Sequence, residues 1–203
     1  GIDFFATDKI TLTGALAYRV GIDKNVTTLT YRDYWNLASM DNYIGYSERI
    51  DDEIEDESKL EYSINFKKKF DKKEQLWTAD IQYSQSGEVE RSDITETFYN
   101  SDNQATGNIL NQRSNNDENF TNFLIQTDYK HPFKEDGMFE TGIRLNLRNV
   151  SNDVMVETLD NNEWTTLTNF SNDLEYTENI YAAYATVGDK FGKFSYQFGL
   201  RYE

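Results

Sequence analysis

The chain has 203 residues, 36 acidic against 20 basic, and a formal charge of −16; it lacks the grouped cations that phosphates require, which argues against a nucleic-acid partner. It has no cysteine, so disulfides and thiolate metal sites are excluded, and no run approaches the ~18 apolar residues of a membrane helix. Aromatic residues make up 15%, too many for a disordered acidic chain, and fit a barrel with a wet lumen and aromatic girdles.

In chain order, the main signal is the period-two alternation of a half-buried strand. From 10 to 20, Ile10, Leu12, Leu16, Tyr18 and Val20 share one face, and Thr11, Thr13 and Arg19 the other. Leu60, Tyr62, Ile64 and Phe66 alternate with Glu61, Ser63, Asn65 and Lys67. Trp77, Ala79, Ile81 and Tyr83 alternate with Thr78, Asp80, Gln82 and Ser84. Residues 120–129 are less regular, with Leu124 on the polar face, and 181–187 are Ala-rich with no assignable face. Phe139, Ile143, Leu145 and Leu147 alternate with Glu140, Arg144, Asn146 and Arg148. Phe198, Leu200 and Tyr202 alternate with Gln197, Gly199 and Arg201. The pattern predicts about eight antiparallel strands, near 1–6, 9–31, 43–69, 75–99, 112–132, 138–158, 164–188 and 193–203.

Alternation alone does not separate a soluble β-sandwich from a barrel, and the connections carry that choice. Asp8-Lys9, Asp71 to Glu74, Lys134 to Gly137 and Gly192-Lys193 read as short turns. Thr30 to Glu57, Glu96 to Glu118 and Asn152 to Asn172 read as long polar connections. Short turns on one side and long loops on the other are the habit of outer-membrane barrels. Lysines crowd the short turns, at 67–69, 72–73, 190 and 193, whereas acids concentrate on the long side around Asp51, Asp102 and Asp160. The expected fold is all-β, with antiparallel up-and-down strands forming part of a large transmembrane β-barrel in the outer membrane. Leu12, Leu16, Tyr62, Ile64, Trp77, Ile81, Ile143, Leu145, Phe198 and Leu200 are expected to face lipid.

Catalytic chemistry finds little support. The single histidine, His131, precedes the single proline at a strand end, where packing explains it. There is no glycine-rich phosphate loop and no serine elbow, so the expectation is no enzyme, no cofactor and no metal centre. Asn115-Asn116-Asp117-Glu118 and Asp160-Asn161-Asn162-Glu163 are oxygen-rich but lack the calcium-loop spacing. Tyr34, Trp35, Tyr43 and Tyr46, in or beside the first long connection, are the candidate ligand or partner contacts.

Three stretches together resemble the barrel region of TonB-dependent receptors and related outer-membrane β-barrel proteins of the Bacteroidota. They are Ser47 to Glu53 leading into Leu60–Phe70, Thr127–Phe133 followed by Gly137 and Phe139–Gly142, and Tyr181–Ala185 through Phe191–Glu203. The resemblance implies a barrel of about 22 strands around an N-terminal plug, and residues 1–203 as one partial barrel domain whose plug and other strands lie outside it. It also implies uptake of a siderophore, glycan or peptide, driven by an inner-membrane energy-transducing complex, with a surface lipoprotein as a further partner. The alternatives are a barrel with a structural or secretion-machinery role, and a soluble β-sandwich binding module.

Overall fold

A computed structural model describes residues 1–36 and 41–203. Among them there is no helix, and nine strands form one sheet. The strands are β1 (Ile2–Thr7), β2 (Ile10–Asn36), β3 (Asp41–Lys69), β4 (Leu76–Asn100) and β5 (Ala105–Pro132), then β6 (Met138–Asp160), β7 (Glu163–Thr166), β8 (Asn172–Phe191) and β9 (Phe194–Tyr202). The hydrogen-bonded order is β1-β2-β3-β4-β5-β6-β8-β9, with β7 on β6. Every pairing is antiparallel. The chain is thus all-β and up-and-down, and β1 and β9 do not pair, so the sheet is open.

The turns follow local chemistry. Gly192, at φ +62, opens the two-residue turn between the paired Phe191 and Phe194. Asn161 and Asn162 take φ +48 and +70 between Asp160 and Glu163, the left-handed pair that a tight hairpin demands. At residues 101–104, the Asn100 side-chain oxygen accepts from the backbone N–H groups of Asp102 (3.0 Å) and Gln104 (2.9 Å). Turns therefore alternate between a near end (8–9, 70–75, 133–137, 192–193) and a far end.

Two expectations need correction. The connections read as Thr30 to Glu57, Glu96 to Glu118 and Asn152 to Asn172 are mostly strand among the described residues, as the strand bounds 43–69, 75–99 and 138–158 already imply: Thr30 pairs with Glu48, Thr28 with Ile50, and the run Asp51–Glu57 continues the ladders to β2 and β4. The asymmetry between the ends is real, but it lies in strand length beyond the apolar zone rather than in loop length. β3 has 29 residues, whereas a membrane-crossing strand needs only ~9–11. The second correction concerns 164–188, which is two strands. β7 covers the tip of β6 through Thr166↔Glu157, and β8 resumes at Asn172↔Val154. Residues 167–171 bulge out between them against only Met155 and Val156.

Among the described residues no second layer covers this sheet. Ile94 and Ala182 are the buried hydrophobic residues among the described ones, and no large side chain is fully enclosed. Burial instead marks one face. Ser47, Ser92, Ile94, Gly142, Asn146 and Ala182 are buried, and register puts all six on the face that carries Asp80 and Arg144. Side chains crowd on the inside of a curved sheet, so this polar face is the concave one.

Candidate functional site

The site is the wall itself, and cross-strand register builds its two faces because directly opposed residues share a face. One row of neighbours runs Ile64, Ile81, Ile125, Leu145, Tyr181. The next runs Leu16, Tyr62, Tyr83, Phe123, Leu147. On the other side lies Leu12, Phe66, Ala79, Thr127, Ile143, Ala183, Tyr202. These rows form a continuous apolar band on the convex face. All ten residues expected to face lipid lie on that face: Leu12, Leu16, Tyr62, Ile64, Trp77, Ile81, Ile143, Leu145, Phe198 and Leu200. Nine of them stay open, with Leu16 71% and Leu200 85% exposed, and Leu145 is half-buried among its neighbours. The alanines that left 181–187 unassigned, Ala183 and Ala185, complete the band beside Ile143 and Leu200.

The concave face behind the band is polar and ionic. Lys130 pairs with Glu140 at 2.8 Å, and Arg148 with Glu178 at 3.5 Å. The Asn65 amide donates to Asp80 at 2.6 Å. Tyr184 reaches across Gly142 and donates to Asp128 at 2.5 Å, while Gln126 donates to the other oxygen of that carboxylate at 2.8 Å. Leu124 sits among these groups, between Gln82 and Asn146. Charged groups at this level require water, so the concave face lines a wet space.

Beyond the band, on the far extension, the same face carries a ladder of acids. Glu57 faces Glu88, and Glu88 faces Glu118. One rung further out Glu55 faces Glu90, which faces Asn116. Arg19 pairs with Glu57 at one edge. Partial burial, then Glu55, Glu118 and Glu57, push the Glu88 carboxyl above its ordinary range. Burial, then Glu53 and Glu55, do the same to Glu90 against a hydrogen bond from Asn116. Among the described residues no three of these groups converge as a metal cage. The ladder is a field rather than a coordination site.

This ladder sets the pH response of the far extension. A carboxyl whose folded pKa is raised binds its proton more tightly when folded, so stability falls as pH rises through that raised value. Below the ordinary glutamate pKa both states are protonated and nothing is lost. Glu88→Gln with Glu90→Gln is therefore expected to raise stability at pH 7.5 by on the order of 0.5–1 kcal/mol, the scale of opposed like charges across strands. The gain should vanish near pH 4. Urea unfolding in lipid vesicles at both pH values measures it, and an equal gain at both would show that charge is not its source.

The other sequence candidates are dispersed. Tyr34 and Tyr43 pack together across β2 and β3, ring centroids 5.6 Å apart. Tyr46 stacks on Tyr99 at 4.4 Å with rings 4° from parallel, a partner absent from the sequence candidates. Trp35 is 80% exposed. The four aromatics therefore do not form one cluster. Asn115 to Glu118 lies within β5, so its side chains alternate faces, and Asp160 to Glu163 is a hairpin turn. Neither gathers its oxygens around one point. His131 lies beside Tyr129 near the near end, with its Nδ1 3.2 Å from the Tyr129 hydroxyl.

The family model described as outer membrane protein beta-barrel family matches residues 68–203. Among solved structures, the chain is similar to the ferric yersiniabactin uptake receptor FyuA from Yersinia pestis, at 9% identity with a TM-score of 0.32. That alignment covers 91% of this chain and 35% of the receptor. No curated protein matches.

Proposed function

The chain belongs to the outer membrane protein beta-barrel family and is located in the outer membrane, and we propose that it is part of the wall of a TonB-dependent receptor barrel of the Bacteroidota type. Its work is uptake of a siderophore, glycan or peptide. One observation carries this reading: the ionic, concave face set directly behind an exposed apolar band. The convex band meets outer-membrane lipid. The concave face lines a water-filled passage, whose open sheet of nine strands calls for a lumen wider than a small closed barrel encloses. The unpaired edges of β1 and β9, and of β2 and β8 beyond them, carry backbone groups that lipid cannot satisfy. They pair with further strands of the same protein, and a plug occupies the space inside. An inner-membrane energy-transducing complex and a surface lipoprotein complete the partner set. The wall binds and conducts, and is not an enzyme.

On this reading the near-end turns lie in the periplasm and the long acidic extensions stand outside the cell. Single cysteines at Ser101 and at Lys72, treated in intact cells with a membrane-impermeant reagent, should react at 101 only. Cells lacking the protein should lose energy-dependent uptake of one class among a labelled ferric siderophore, an oligosaccharide and a peptide. Reaction at 72 alone would invert the orientation. Unchanged uptake of all three, with altered envelope integrity or secretion, would favour the structural role instead.

A further inference from the structure

At the near end an open cavity of about 590 Å³ lies beside the turn between β3 and β4, within the ~300–1,000 Å³ of ligand pockets. Lys67, Lys69, Lys72 and Lys73 line it, and none of the four has an ion-pair partner among the described residues. A fifth lysine, Lys130, is tied to Glu140 at 2.8 Å. Glu74 is the remaining acid on the lining. The cavity keeps an excess of positive charge within a chain whose net charge is −16. Phe70, Leu76 and Met138 add apolar surface between the charges.

Register decides which side this cavity serves. Lys69, Leu76, Lys130 and Glu140 form one concave-face row, and Lys67 lies on the same face opposite Thr78. Lys68 points to the convex face and sits over the Phe70 ring at 4.8 Å. A lipid headgroup would thus meet Lys68, whereas Lys67 and Lys69 address whatever enters from the concave side. The lining spans β3 to β6, three strand spacings or ~14 Å. The four unpaired lysines lie on β3 and its turn, with Lys67 and Lys69 ~7 Å apart along the strand, so one small anion cannot meet all four. An extended chain can, since its alternate side chains repeat every ~7 Å, the spacing of Lys67 and Lys69.

We propose that this cavity is a docking site for an acidic peptide segment, carboxylates alternating with apolar side chains, presented to the concave face from the near end. The proposal rests on the concave face being the lumen side. Its partner is a protein segment that reaches the near-end mouth of the barrel, with carboxylates on the lysines and apolar side chains on Leu76 and Met138.

The full-length protein in neutral detergent would be titrated into a fluorescein-labelled peptide of four Glu-Leu repeats, read by fluorescence anisotropy. The peptide should bind, and a Lys-Leu peptide of equal length should not. The combined Lys67→Gln, Lys69→Gln, Lys72→Gln and Lys73→Gln variant should weaken binding at least tenfold. The matching arginine variant should stay within threefold, and Lys190→Gln with Lys193→Gln within twofold. Heat-modifiable migration in gels confirms that each variant is folded, and any that is not is replaced by the single Lys69→Gln, expected to weaken binding about threefold. Absence of binding, unchanged affinity in the glutamine variants, or an equal loss from the 190/193 pair would overturn the proposal. Displacement by inorganic phosphate or phosphatidylglycerol as efficient as by unlabelled peptide would do so too, making the cavity a simple anion or lipid site. Uptake in cells is read separately, so loss of either result leaves the other standing.

Discussion

Leu145→Arg is expected to destabilise the folded barrel by ~2–4 kcal/mol, the cost of a cation at the lipid midplane of a barrel strand. Leu145 stands in the central row of the apolar band, between Ile125 and Tyr181. Its strand already tolerates arginine, since Arg144 and Arg148 lie one and three residues away on the opposite face. Neither helical propensity nor strand propensity separates position 145 from position 144; only the face does. An arginine at 145 would have to bend its head out of hydrocarbon or carry water in with it, and the flanking rows are apolar on both sides. Asn149→Arg offers the contrast. Asn149 points the same way as Leu145, but lies beyond the band between Thr121 and Thr177, where ~0–1 kcal/mol is expected. Urea unfolding of the full-length protein in lipid vesicles compares the two. Equal costs would remove the lipid from the face of Leu145.

What the sequence made readable follows from range. Alternation is local, so the strand cores around Leu12, Tyr62, Trp77 and Leu145 could be placed and faced from neighbours alone. The turns were local too: Gly192 and Asn161-Asn162 supply the left-handed backbone where the chain reverses. The acidic run Asp51–Glu57 falls within the strand expected at 43–69, although Asp and Glu disfavour strands intrinsically. Its order is imposed by hydrogen-bonded neighbours on both sides, β2 and β4. The ladder of Glu57, Glu88 and Glu118 was not legible, because it joins three strands. Residues 31 and 30 positions apart meet only once register is known. Likewise Tyr46 was a candidate contact, but its partner Tyr99 comes from the far end of the next strand. The near-end cavity was half legible. Its lysines were conspicuous as a cluster, while their division between faces, Lys68 outward and Lys67 and Lys69 inward, needed the pairing with β4.

The Gly142 position shows how the concave face is held, and Gly142→Val is expected to cost on the order of 3 kcal/mol, overpacking plus a lost charge-assisted hydrogen bond. Gly142 lies between Asp128 on β5 and Tyr184 on β8. The tyrosine ring crosses over it, skipping a strand to donate to Asp128 at 2.5 Å. A β-carbon at 142 would overlap the Asp128 carboxylate and lie 2.5 Å from Tyr184 Cε1. The carboxylate and the ring could swing aside, but the Thr127 carbonyl oxygen, 2.8 Å away, is backbone fixed in the β4–β5–β6 ladder. Valine therefore displaces the ring and strains the strand at once. Tyr184→Phe keeps the ring and removes only the donor, so it should cost ~1–3 kcal/mol. Both changes destroy one and the same bond, so the double variant should cost less than the two singles added, by about the worth of that bond. A double-mutant cycle of unfolding free energies in lipid vesicles reads this directly. Strict additivity would mean that Gly142 is needed for strand packing alone and that the tyrosine bridge across it contributes nothing.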